Sequence, residues 1–327
     1  RSSDLSQGDD NYGLNLGKGF SAISGSSTPY VSKGLNSDRI PGTERHLISL
    51  QYSDSDFLRQ ELVGQVYYRD ESLRFYPFPT VNANKQATAF SSSQQDTDQY
   101  GMKLTLNSQL MDGWQITWGL DAEHERFTSN QMFFDLAQAS ASGGLNNHKI
   151  YTTGRYPSYD ITNLAAFLQS SYDINDIFTV SGGVRYQYTE NRVDDFIDYT
   201  QQQKIAAGKA ISADAIPGGS VDYDNFLFNA GLLMHITERQ QAWFNFSQGV
   251  ALPDPGKYYG RGIYGAAVNG HLPLTKSVNV SDSKLEGVKV DSYELGWRFT
   301  GDNLRTQIAA YYSLSNKSVE RNKDLTI

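Results

Sequence analysis

Cysteine is absent from the 327-residue chain, which removes disulfide scaffolds, Cys-ligated zinc and thiol catalysis. Long apolar runs are absent as well: the longest, LAAFL at 164–168 and IAAYY at 308–312, are five residues. A membrane-spanning helix needs about 20 apolar residues, so helical membrane proteins are excluded. A basic surplus is also missing. Lys and Arg number 28 against 36 Asp and Glu, a net charge of −8, so the clustered cations of a nucleic-acid partner are not there. Apolar residues make up 39% and mean hydropathy is −0.51, a balance that soluble proteins and β-barrels share. The chain starts at Arg1 with no basic n-region or apolar h-region, so a targeting signal is expected outside it. No heptads and no sustained helical period occur.

What is there is aromatic and alternating. Tyr and Phe number 21 and 16, and apolar positions recur with period two. In FTVSGGVRYQYT (178–189), Phe178, Val180, Val184, Tyr186 and Tyr188 share one face, and Thr179, Ser181, Arg185, Gln187 and Thr189 the other. The same sorting occurs in 99–107, 114–125 and 292–300, and less cleanly in 225–237, where Leu227 and Leu233 sit among polar residues. About ten strands follow, near 45–53, 58–69, 99–108, 114–126, 161–173, 177–189, 224–237, 240–249, 290–300 and 304–315.

Connection lengths decide the class. Short Asp-, Asn- or Gly-rich turns near 53–57, 108–113, 173–177, 237–240 and 300–303 alternate with long polar links near 70–98, 127–160, 190–224 and 250–289. Structureless links beyond about 12–15 residues are uncommon in a soluble sandwich. A transmembrane barrel has short periplasmic turns and long outer loops by construction. The expected fold is therefore all-β: an antiparallel transmembrane β-barrel segment of about ten strands from a larger barrel. It forms one domain over 1–327, with residues 1–43 as a further outer loop. Trp114, Tyr172, Tyr188, Trp243 and Tyr312, near strand ends, read as interfacial girdles against lipid. Ile116, Trp118, Val180, Val184, Tyr186, Phe226, Phe228, Leu295 and Trp297 are expected to face lipid, with Thr117 and Gln187 facing the lumen.

Three motifs in order carry a family resemblance. Gly183 to Tyr186 form Gly-x-Arg-Tyr, Phe246 to Gly249 form aromatic-Ser-x-Gly, and Glu294 with Gly296 form Glu-x-Gly. At barrel spacing these resemble the barrel of TonB-dependent outer-membrane receptors, and the runs 217–243 and 254–299 resemble one iron-chelate receptor of that family nearly continuously. The resemblance implies a bacterial outer-membrane location and energy-coupled import of a ferric siderophore of the hydroxamate–citrate class. It also implies an N-terminal plug, a TonB box and a closing aromatic-ended strand, which these 327 residues do not carry. The chain is thus expected to supply about half of a barrel, entering and leaving on the outer side, with the plug absent. The implied partners are the siderophore, the inner-membrane TonB complex through the missing region, outer-membrane lipid and lipopolysaccharide, and a cloacin-type bacteriocin. A passive porin or adhesin barrel is the alternative.

Catalytic and metal patterns are weak. Gly260, Gly262 and Gly265 fit G-x-G-x-x-G, but prolines precede them and no helix pattern follows, so the dinucleotide context fails. His46, His124, His148, His235 and His271 are scattered without ligand spacing. No cofactor is expected to bind directly, and iron should arrive as a chelate. Asp121, Glu123 and Glu125 alternate onto the lumen face and read as a hydrated lining with cross-strand Arg or Lys partners. A barrel protease or lipase would need His148 or His271 with Ser or Asp, and their sequence neighbours offer no clear partner. No enzyme activity is expected.

The outer loops are more informative. RFYPFP (74–79), KIYTTGRYPSY (149–159) and GKYYGRGIYG (256–265) combine cations with clustered Tyr and Phe. Such donors suit an anionic, partly apolar ligand; loop-on-loop packing or lipopolysaccharide contact is the other reading. The candidate ligand residues are Lys257, Tyr258, Tyr259, Arg261 and Tyr264, with Arg74, Tyr76, Arg155 and Tyr156 completing the rim.

Overall fold

The computed structural model describes residues 35–84, 86–252, 254–278, 280 and 287–315, without the side chains of Lys257 and Tyr258. Ten long strands dominate: β1 Gly42–Phe57, β2 Gln60–Arg74, β3 Ala87–Met111, β4 Trp114–Phe134, β5 Tyr159–Asp173, β6 Phe178–Val193, β7 Gly219–Thr237, β8 Gln240–Ala251, β9 Val288–Thr300 and β10 Arg305–Ser315. Each pairs antiparallel with its neighbours in sequence, giving one up-and-down sheet from β1 to β10. The short turns gather at one end and the long links at the other. The turn between β1 and β2 places Leu58 at φ 55° and Arg59 at φ 66°, the pair of positive φ values that a two-residue type I′ hairpin needs, here without glycine.

Register sorts the faces as the alternation predicts. Leu104, Leu120, Ala166, Tyr186 and Phe226 stand abreast on five consecutive paired strands. Trp118, Leu168, Val184 and Phe228 form the next row on the same face. Phe226 and Leu295 are 53% and 62% exposed. A sheet face this apolar is suited to hydrocarbon, where each CH₂ taken from water is worth about 0.8 kcal/mol. The opposite face is polar and cross-linked. Arg185 donates to Asp121 at 2.6 Å across the intervening strand β5, and Gln65 donates to Ser49 at 2.8 Å. The Tyr67 hydroxyl donates to Glu123. The expected Arg partner for the carboxylate row is therefore present at Asp121.

Two expectations need correction. Trp243 is not a lipid girdle: it lies on the polar face and donates from Nε1 to Glu294 at 2.8 Å. It lies over Gly296, where an added Cβ would fall 2.1 Å from its Cζ2; only glycine leaves room for the indole there. Trp114 and Tyr172 do stand together on the apolar face near the turns, ring centroids 6.0 Å apart and edge-on. The long links are also shorter and more ordered than expected. The strands run on past the membrane zone, β3 reaching 25 residues, so the link 70–98 shrinks to 75–86. The remainder holds helices α1 Leu136–Ala141, α2 Tyr199–Ala206 and α3 Pro255–Tyr258, and short strands Phe78–Val81 and Lys149–Gly154. The expected loop 1–43 lies largely outside the described residues, and β1 begins at Gly42.

In a receptor of full family length, Val184→Arg should destabilise the folded barrel by about 2–4 kcal/mol, and Thr117→Arg should be nearly neutral. Urea unfolding in liposomes measures both. A loss in Thr117→Arg with none in Val184→Arg would mean that the two faces have been exchanged.

Candidate functional site

The site lies at the outer end, where the strand extensions and the long links meet. Phe127 of β4 stacks on Tyr159 of β5, centroids 4.7 Å apart, and both sit on the lumen-side face with Gln95. Onto that face the segment after β8 folds inward, burying Tyr259, Val278 and Val280 against Tyr159 and Val193. Gly260 makes the fold possible. Its φ is 80° and an added Cβ would come within 2.5 Å of Pro157 Cδ, so the backbone turns there and delivers Arg261 beside Tyr156. The result is a cavity of about 520 Å³ lined by Gln95, Phe127, Tyr156, Tyr159, Asp254 and Arg261.

Arg155 packs against Tyr156 of this lining. Its guanidinium lies 5.2 Å from the Tyr156 ring centroid and 4.8 Å from that of Tyr199, a cation–π arrangement that orients the charge. Tyr199 begins α2, whose N-cap Asp198 accepts from Thr200 N at 2.8 Å. Gln202, on the same helix, accepts from Gly154 N at 2.8 Å and donates to Ile197 O at 2.6 Å, holding α2 over the Lys149–Gly154 strand. Burial pushes the Tyr199 hydroxyl above its ordinary pKa, and the positive charges of Arg155 and Arg261 oppose that rise. Among the described residues neither has a carboxylate partner, whereas Arg45, Arg74, Arg126, Arg185 and Arg239 each do.

Of the nine residues expected at the site, the structure brings together Arg155, Tyr156 and Arg261. Tyr259 is buried packing. The Tyr264 hydroxyl donates to Asp214 O at 2.8 Å and serves as a brace between loops. Arg74 and Tyr76 do not complete this rim. Arg74 stands opposite Gln94 and Asn130, on the other face of the sheet, 3.5 Å from Glu44. Tyr76 packs with Phe90, Phe134 and Ala139. The side chains of Lys257 and Tyr258 lie outside the described residues. Sequence reasoning missed Gln95, Phe127, Tyr159 and Tyr199 as site residues; the Asp198 cap before YTQQQ was a usable signal for the last.

The histidines need a correction too. His271 has both partners that its sequence neighbours did not reveal: Nδ1 lies 2.8 Å from Ser212 Oγ and Nε2 lies 2.9 Å from Asp214 Oδ1. In acyl-transfer triads the carboxylate takes Nδ1 and the serine Nε2, the reverse of this order. Asp214 Oδ2 also accepts from Leu274 N at 2.8 Å. The group thus clasps the link after β6 to the link after β8. His148 Nδ1 lies 3.6 Å from Asp38. No group of three or more His, Asp or Glu able to hold a metal ion occurs among the described residues.

These features are those of a segment of an outer-membrane β-barrel. Residues 2–317 match the family model for the TonB-dependent receptor-like β-barrel; the chain belongs to that family, whose members reside in the Gram-negative outer membrane. It is 90% identical over 322 residues to the ferric aerobactin receptor of Klebsiella pneumoniae, covering 98% of this chain and 44% of that protein. It is 43% identical over 318 residues to the rhizobactin receptor of Rhizobium meliloti, covering 97% of this chain and 42% of that one. The chain therefore spans less than half the length of these relatives. The fold is shared with the copper transporter OprC, at TM-score 0.58 and 14% identity over 82% of this chain and 38% of that one. It is shared also with unliganded ferric citrate transporter FecA, at 0.56 and 15% over 87% and 37%.

The clasp yields a pH prediction. The Leu274 N–H and then His271 hold the Asp214 carboxyl below its ordinary value of 3.8. A lowered folded-state pKa means the contribution is present above that value and is lost as pH falls through the lower one. Amide exchange at Leu274 should stay slow through pH 5 and quicken only below about 3.8. Quickening already at pH 6 would mean that Asp214 does not control the clasp.

Proposed function

We propose that the chain supplies the ligand-capturing portion of a receptor that imports a ferric siderophore of the hydroxamate–citrate class, aerobactin being the member its relatives' names supply. The observation that carries this is a pair of guanidinium groups without carboxylate partners: Arg155, packed on the rings of Tyr156 and Tyr199, and Arg261, which lines the same cavity as Tyr156. Unpaired cations beside rigid aromatics recognise an anion with partly apolar surface. A citrate-based ferric chelate has that chemistry and would bring its own iron, so no resident metal or cofactor is invoked. Release into the periplasm would draw on the inner-membrane TonB complex acting on a plug supplied by the rest of the receptor. Import needs no covalent step, and the His271 clasp acts as a brace. Outward Trp114, Tyr172 and Tyr188 suit contact with membrane lipid and lipopolysaccharide, and the outer loops are the surface that a cloacin-type bacteriocin would meet.

Charged hydrogen bonds are worth about 1.5–3 kcal/mol each, so Arg261→Ala in a full-length receptor should weaken ferric aerobactin binding about tenfold or more. Arg239→Ala, in the opposite-end turn where it pairs with Asp302, should leave affinity unchanged. A fluorescence titration reads both. Wild-type affinity in an Arg155→Ala, Arg261→Ala double variant would place the ligand elsewhere. Uptake that persists after the inner membrane is de-energised would favour a passive channel.

A further inference from the structure

The Arg261 cavity holds charges of both signs. Asp254 is exposed and lines it together with Arg261 and Gln95. Among the described residues no ion pair joins Asp254 to Arg261, although five other arginines are paired with carboxylates. Opposite charges that share a cavity without touching leave space for a ligand that satisfies both. The position of the carboxylate is set by backbone. As N-cap of α3, Asp254 Oδ1 accepts from Gly256 N at 2.9 Å, and Pro255 at the first helical position fixes the turn. Gly256 rests on Tyr156, where an added Cβ would fall 3.7 Å from the tyrosine Cβ. That contact keeps the capped turn against the cavity wall.

An ionised carboxylate has about four acceptor positions, so the cap leaves Asp254 capacity for a ligand. Its charge also reaches the floor of the cavity. Burial first, and then the negative charges of Asp254 and Glu125, push the Tyr159 hydroxyl above its ordinary pKa. Tyr159 therefore contributes a hydroxyl and no charge. The lining then offers one cation, one fixed carboxylate, a neutral amide at Gln95 and the rings of Phe127, Tyr156 and Tyr159. A ligand that is anionic all round meets Arg261 well and Asp254 badly, because like charges set side by side repel. A ligand with an N–H donor beside its anionic group meets both.

We propose that Asp254 is a specificity-determining residue, which selects chelates carrying a hydrogen-bond donor such as an amide N–H beside the anionic group held by Arg261, and rejects chelates whose surface is carboxylate alone. The inference rests on the function proposed above. A citrate joined to hydroxamate arms through amide links carries such donors, whereas ferric citrate carries carboxylates and no N–H. A site built to bond a donor discriminates strongly against a ligand that lacks it, since the acceptor is then left unmet. Here the acceptor is also charged, so attraction to the right ligand and repulsion of the wrong one come from the same side chain.

The experiment is a pair of fluorescence titrations on the full-length receptor, one with ferric aerobactin and one with ferric citrate. Asparagine caps a helix as well as aspartate does, so Asp254→Asn keeps the turn and removes the charge. It should tighten ferric citrate about fivefold or more and weaken ferric aerobactin about threefold, lowering selectivity about tenfold or more. Where the wild type shows no ferric citrate binding, measurable binding in the variant is the same result. Asp254→Ser, which also caps, should give the same gain for ferric citrate, and it decides alone if the asparagine variant fails to insert into membranes. Unchanged selectivity, or an equal loss for both chelates, would overturn the inference. If Arg261→Ala weakens ferric aerobactin while Asp254→Asn leaves selectivity unchanged, the proposed function stands and the role of Asp254 falls. Absence of ferric aerobactin binding by the wild-type receptor would sink both.

Discussion

Backbone hydrogen bonding in hydrocarbon governs the structure. No water reaches the bilayer core, so every N–H and C=O there must find a partner within protein, and an unmet group costs several kcal/mol. A sheet in which each strand is zipped to its chain neighbours meets that demand along its length. The strict register that results puts Trp118, Val184 and Phe228 on lipid and Arg185, Asp121 and Glu123 on the other side. A slip of one residue would exchange the two sets. The site inherits its precision from this ladder, because Gln95, Phe127 and Tyr159 are positioned by register before any loop arrives.

The outer links obey different rules. Water is available there, so specific side chains can secure what the ladder does not. Asp198 caps α2, Gln202 bridges two segments, and Asp214 with His271 ties one link to the next. Arg261 reaches the site because Gly260 can turn against Pro157. The candidate site is thus built from loop contacts on a frame that those contacts do not determine.

This division explains what could be read in advance. Ten strands, their order and their lipid face were legible, because alternation is enforced wherever one side must be apolar. The signal fades over 91–98, where both sides of the strand lie beyond the bilayer and the residues are uniformly polar, so that stretch was taken for a loop. Trp243 was misplaced because its partner, Glu294, is 51 positions away and its room comes from Gly296. Arg155 and Arg261 were singled out from composition, as cations among tyrosines. Arg74 carries the same local signature, and only the parity of β2 against β3 and β4 shows that it belongs to the other face.

The sequence-adjacent pairing of the strands also bears on how such a barrel diversifies. The turns at one end span two to four residues, whereas the link between β8 and β9 is three times as long as that between β2 and β3. Loop-closure entropy grows only with the logarithm of length, so a threefold longer link costs about 1 kcal/mol more. New outer segments can therefore be grafted or exchanged at small thermodynamic expense while the frame persists. The sheet is shared with proteins at 14% and 15% identity whose names specify copper and ferric citrate as cargo. A scaffold whose strands meet only their neighbours lets cargo preference evolve one hairpin at a time.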